Sequence, residues 1–102
     1  YLIEWFCPAY RINHHSTVLY DVTAGNYISG AMGSGAYTDA ADSVQTISTG
    51  FYELTISSAN TYEIRHRCYT TKTSNGFGVD QNTDSSSWSK SIYAIAKFTK
   101  IK

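Results

Sequence analysis

The chain has no excess of charge of either sign. Eight basic residues balance eight acidic ones, and the isoelectric point is about 7.0. That argues against a general electrostatic grip on nucleic acid or anionic lipid, which needs a basic surplus. No apolar run approaches the roughly 18 residues that would span a bilayer, so no membrane insertion is expected. The apolar opening Tyr1 to Tyr10 lacks the basic flank and small-residue cleavage site of a signal peptide. No segment carries apolar residues at helical spacing over three turns. There is no repeat of fixed period, and Ser85-Ser86-Ser87 is too short to count as low complexity.

Catalytic and metal signatures are missing as well. The two cysteines, Cys7 and Cys68, have neither zinc-site spacing nor a CxxC arrangement. Each lies on the more apolar side of its segment, which favours two buried thiols over a single bridge between them. Among many serines there is no GxSxG elbow. The glycines from Gly30 to Gly35 do not lead into a helix with a lysine, so they do not form a phosphate cradle. Glu4, Glu53 and Glu63 are scattered, and Asp21, Asp39, Asp42, Asp80 and Asp84 read mostly as turn formers. His14 and His15 are adjacent, so on a strand they face opposite sides and do not easily chelate one metal. His66 lies alone on an inner face and reads as a hydrogen-bonded core histidine. A metal on a symmetry axis, held by one such histidine per subunit, has little support. Cys68 and His66 share a strand face, but a catalytic pair there is a minor reading. No cofactor and no enzymatic activity are expected.

What is present is β structure. Nine tyrosines and abundant Ser, Thr and Gly suit sheets and turns. The most informative run, Thr61 to Val79, begins as a strand of two chemistries. Tyr62, Ile64, His66 and Cys68 point one way, while Glu63, Arg65, Arg67 and Tyr69 point the other. Further strands are expected at Tyr1 to Ile12, Ser16 to Val22, Tyr27-Ile28, Val44 to Thr49, Phe51 to Ser57 and Ser91 to Lys102. Pro8 fits an edge, bulge or bend better than a central ladder position. Val18, Tyr20 and Val22 share one face, and Tyr52, Leu54 and Ile56 share another. Thr23-Ala24-Gly25-Asn26 is a turn, and Gly50 separates two strands. Ala31 to Asp42 and Asn75 to Lys90 read as long loops, the first of them mobile. The last strand, apolar on both faces in its first half, should be central. Its second half, with Lys97, Lys100 and Lys102, should emerge into water. The 102 residues suffice for one all-β domain spanning 1–102, an antiparallel sandwich or jelly roll. With no initiator Met, and with Tyr1 to Cys7 reading as mid-strand, the chain is expected to be the C-terminal part of a longer one.

Aromatics gather at loops and strand ends: Tyr10, Tyr27, Tyr37, Tyr69, Phe77 and Trp88. Such residues suit interfaces and sugar faces, and they equally suit the capping of a small core.

Several phrases occur in a fixed order: Leu19-Tyr20-Asp21-Val22-Thr23, then Gln45-Thr46-Ile47-Ser48, then Tyr62 to Cys68, Gly76-Phe77-Gly78-Val79 and Ile92-Tyr93-Ala94. In this order they resemble a domain common in tailed-phage structural proteins and prophages. The resemblance covers nearly the whole chain and departs from the family at Asn82 to Lys90, a Ser-rich insert carrying Trp88. It implies a jelly roll similar to the tumour-necrosis-factor and complement globular-head domains, usually trimeric, with N-terminal strands upstream of Tyr1. It further implies a virion protein assembled in the host cytoplasm, with both thiols reduced. The expected role is a non-enzymatic, homotrimeric knob of a tail fibre, baseplate or head fibre. It would contact other virion proteins and a host surface receptor or glycan through loop residues Tyr37, Asp39, Phe77 and Trp88. The alternative is a capsid cement or decoration trimer, with the outer face of Glu63, Arg65 and Arg67 buried on the shell. Tyr93, Ile95, Phe51 and Tyr52 are the expected core or trimer contacts.

Overall fold

The computed structural model describes residues 1–78 and 94–102. Its elements are β1 (Leu2–Tyr10), β2 (His15–Asp21), β3 (Asn26–Met32), β4 (Gln45–Glu53), β5 (Tyr62–Cys68) and β6 (Ile95–Thr99). Among the described residues there is no helix. The strands form two antiparallel three-stranded sheets, ordered β4-β1-β6 and β3-β2-β5. Trp88, Tyr93 and most of the expected loop 75–90 lie outside the described residues.

The inner face of the first sheet is set by alternation along β1, where Ile3, Trp5, Cys7 and Ala9 are buried. From the second sheet Leu19 and Ala31 join Ile3, Trp5 and Cys7 in one cluster, flanked by Ile28, Tyr52, Leu54, Tyr62 and Ile64. At roughly 25 cal/mol per Å2 of apolar surface, this small cluster supplies most of the non-directional force between the sheets.

Three strand expectations need correction. First, β1 is central and runs unbroken through Pro8. The proline is tolerated because β6 pairs only with Leu2 to Phe6, so Pro8 has a single described neighbour, opposite Ile47 on β4. Second, β6 is an edge strand, paired among the described residues with β1 alone. Third, Gly50 interrupts nothing, for β4 is continuous from Gln45 to Glu53. A Cβ at Gly50 would overlap the indole of Trp5, so this glycine makes room for a ring. Leu54 to Ser57 lie beyond the strand. Val18 and Tyr20 share one face of β2, as expected, and it is the outer one. The buried face is His15, Thr17 and Leu19.

The expected mobile loop from Ala31 is tied down. Ala31 and Met32 end β3, and beyond them the chain crosses from one sheet to the other. Gly33 N–H donates to Thr17 C=O at 2.8 Å, and Ser34 N–H donates to Thr49 C=O at 2.7 Å. Gly33 lies so close over the Thr17 hydroxyl that a Cβ there would overlap it. The expected turn at Thr23 to Asn26 is present, with Gly25 at φ 79° and Asp21 Oδ1 accepting Ala24 N–H at 2.9 Å.

Candidate functional site: an aromatic cleft above a buried histidine pair

Three segments converge at the end of the sandwich where β2 begins. The β1–β2 connection is a tight turn in which Arg11 and Asn13 adopt left-handed φ values of 57° and 60°. Asn13 holds both of its neighbours. Its Nδ2 donates to Thr70 Oγ1 at 3.1 Å, and its Oδ1 accepts Ala40 N–H at 2.6 Å. Arg11 Nε donates to Ala40 C=O at 3.0 Å. Tyr69 N–H donates to His14 C=O at 2.9 Å, and His15 and Ala36 exchange two backbone hydrogen bonds of 3.0 Å. The turn, the segment after β3 and the end of β5 are thereby stitched together.

On this frame His14 and Tyr37 stack, with ring centroids 4.5 Å apart and planes inclined by 29°. Tyr69 stands nearly perpendicular to His14, at 5.8 Å and 82°. Tyr37 is 62% exposed and Tyr69 80%. The rings border an open cleft of about 530 Å3 that Ser16, Arg67 and Cys68 also line. Among the described residues no carboxylate lines it.

Beneath the cleft, the residue after His14 turns inward, as strand alternation requires. His15 is buried, and its Nδ1 lies 2.8 Å from His66 Nε2. Its Nε2 lies 2.7 Å from Thr46 Oγ1 on the opposite sheet. Phe77 packs against the other side of His66, with centroids 4.5 Å apart. Burial pushes the His15 imidazolium to a lower pKa. For His66, burial first and the neighbouring His15 second lower the pKa to about 4. Two neutral imidazoles therefore share one proton between their facing nitrogens. His66 is hydrogen-bonded on the inner face, as expected from sequence, but it is not alone there, since His15 is its partner.

A second, separate polar chain crosses between the sheets beside the pair. Trp5 Nε1–H donates to Thr17 Oγ1 at 2.7 Å, and Thr17 and Ser48 hydroxyls are 2.8 Å apart. Ser48 donates its single hydroxyl proton to Ser34 C=O at 2.6 Å, so Thr17 must be the donor to Ser48. All donors in this chain run one way, from the indole to a backbone carbonyl.

The other expected site residues are dispersed. Asp39 is an exposed turn carboxylate accepting Ala41 N–H at 2.9 Å, and it does not line the cleft. Phe77 is half-exposed above His66. Phe51, 76% exposed, and Ile95 lie on the outer face of the first sheet, while Tyr52 is half-buried against the core. Sequence reasoning named His14 and Arg67 in other settings but did not bring them to one cleft, and it missed the partner of His66. The missing signal was register. With Thr17 opposite His66 and His15 opposite Cys68, His15 and His66 become diagonal neighbours on one face.

Both thiols are free, Cys7 buried and Cys68 half-buried. Burial raises the pKa of Cys7. His66 Nε2 is engaged by His15, and among the described residues no hydrogen bond joins it to Cys68. Among the described residues no group of three or more His, Cys, Asp or Glu side chains is placed to hold a metal ion. No family model, curated protein or solved structure matches the chain.

Proposed function

We propose that the chain is a non-enzymatic structural module of a phage virion. In this reading it is a jelly roll of the tumour-necrosis-factor type that assembles as a trimeric knob of a tail fibre, baseplate or head fibre. The knob meets the host surface through the end that carries the cleft. The observation that carries the reading is the fixed aromatic corner of His14, Tyr37 and Tyr69. Rigid, exposed rings with polar tips lose little conformational entropy on binding, and hydrogen bonds hold their backbones in place before any ligand arrives. The winding supports the fold assignment, since β1 to β2 and β3 to β4 both pass between sheets. Support for self-association comes from the outer face of the first sheet, where Phe51, Ile47 and Ile95 are exposed together.

That outer face also favours a second reading, a capsid cement trimer seated on the shell. The opposite outer face is less available for such a role, because Arg65 already pairs with Glu63 and lies over the Tyr20 ring at 3.3 Å.

A cryo-EM map of the intact particle separates the readings. Density at a fibre tip or baseplate is the expected result, and density at lattice threefolds over the shell gives the cement reading instead. Light scattering of the purified chain is expected to give a trimer that Phe51→Asp converts to folded monomer. A trimer that survives the change removes this face from the interface, and a monomeric parent chain removes the trimer.

A further inference from the structure

β5 carries two outward arginines in contrasting states. Arg65 is occupied, its Nε bonded to Glu63 Oε1 and its guanidinium over Tyr20. Arg67, two residues on and exposed, makes no ion pair or hydrogen bond among the described residues. It stands at the border of the cleft, beside Ser16 and within reach of the corner formed by Tyr69 and the His14–Tyr37 stack. Among the described residues the cleft thus combines two apolar ring surfaces at nearly a right angle, a hydroxyl, one unpaired cation and no anion.

Resting on the knob reading above, we infer that this cleft binds an anionic saccharide. A pyranose ring presents an axial C–H face that packs on an aromatic ring and hydroxyl edges that seek polar partners. The acid group is placed on Arg67, whose planar fork matches a carboxylate or phosphate oxygen pair in a two-bond geometry that lysine does not offer. An opening of about 530 Å3 holds one to two sugar units, within the range of ordinary small-molecule sites. The stitched backbone at His14, Ala36 and Tyr69 fixes the ring spacing in advance. Neutral glycans gain the stacking alone. Acidic ones add the charge-assisted pair, so discrimination resides in Arg67 and general affinity in Tyr69.

The test is isothermal titration of the full chain with three probes: a galacturonic acid trisaccharide, its methyl ester, and a phosphodiester-linked glycerol phosphate oligomer. The expected result is binding of a charged probe roughly tenfold or more tighter than the neutral ester, the scale of one charge-assisted hydrogen-bonded pair. Whichever charged probe binds tighter names the source of the acid group. Arg67→Gln should erase the difference between charged and neutral probes. Tyr69→Ala should weaken all of them, and both variants should keep the parent melting temperature. Equal binding of charged and neutral probes, preference unchanged in Arg67→Gln, or no binding of any probe overturns the inference. Adsorption of particles carrying the same variants tests the reading beneath it. If adsorption falls while no probe binds, the saccharide is wrong and the knob stands. If probe binding is lost while adsorption is unchanged, the site stands and the host-contacting role falls.

Discussion

At one end of the sandwich interior, Ile3, Leu19 and Ala31 cluster with Tyr52, Leu54, Tyr62 and Ile64. At the other, His15, Thr17 and Ser48 are just as deeply buried but join the sheets through hydrogen bonds. The first end holds through apolar area, which tolerates small displacements and is indifferent to protons. The second holds through directional bonds whose donors and acceptors must all be met, since an unmet buried group carries a desolvation penalty. Sealing a small domain with polar groups stabilises little in net terms, but it makes the arrangement sensitive to single atoms and to pH.

The largest effect expected of any single change tests the apolar end. Leu19→Ala should lower unfolding free energy by about 2–5 kcal/mol, the range for a fully buried leucine, as read by chemical denaturation. A loss below about 1 kcal/mol would mean that the apolar end does not dominate. Next, Thr17→Val preserves shape but strands Trp5 Nε1–H and removes a donor to Ser48, so about 1–3 kcal/mol should be lost. If the valine variant proves more stable than the parent, the polar end is no structural asset.

Acid gives the third test. Because the folded pKa of His66 lies near 4, below the ordinary imidazole value, the unfolded chain binds more protons between about pH 6.5 and 4. The full stability is therefore present above pH 6.5 and declines as pH falls toward 4. After allowance for solvent screening of a partly exposed ring, the decline is roughly 1–2 kcal/mol. Denaturation midpoints at pH 7 and pH 4.5 measure it, and His66→Gln should flatten the slope. A variant as acid-sensitive as its parent would locate the titrating groups elsewhere.

The smallest effect on folding should come from Thr46→Val, about 1 kcal/mol, because its loss leaves one nitrogen of His15 unsatisfied while the His66 contact remains. A loss as large as that of Thr17→Val would show that the two polar chains act as one.

Local patterns were readable wherever they depend on near neighbours alone. The alternation from Tyr62 to Cys68 and the turn at Gly25 need nothing beyond a few residues of context. The aromatics at strand ends, Tyr37 and Tyr69 among them, were visible as a class, but their meeting across three segments was not. Gly50 misled because a glycine that yields to a distant indole looks the same in sequence as one that makes a turn. Which face of β2 turns inward was likewise not legible. His15 and Thr17 appear polar and outward until Thr46, Trp5 and Ser48 are known to be opposite them. Asp39 had the right residue type for a contact, but its carboxylate serves its own turn.

The one-way hydroxyl chain bears on how β2 finds its alignment during folding. Side-chain alternation forbids a slip by one residue, which would turn Val18 and Tyr20 inward. A slip by two keeps the faces correct, and a uniformly apolar strand would barely register it. Here the inward sequence is His15, Thr17, Leu19, three side chains with different needs. Shifted by two, Leu19 would stand where the indole N–H seeks an acceptor, and Thr17 would stand where Thr46 seeks an imidazole. The polar groups thus act as a key that distinguishes alignments the apolar core would accept alike.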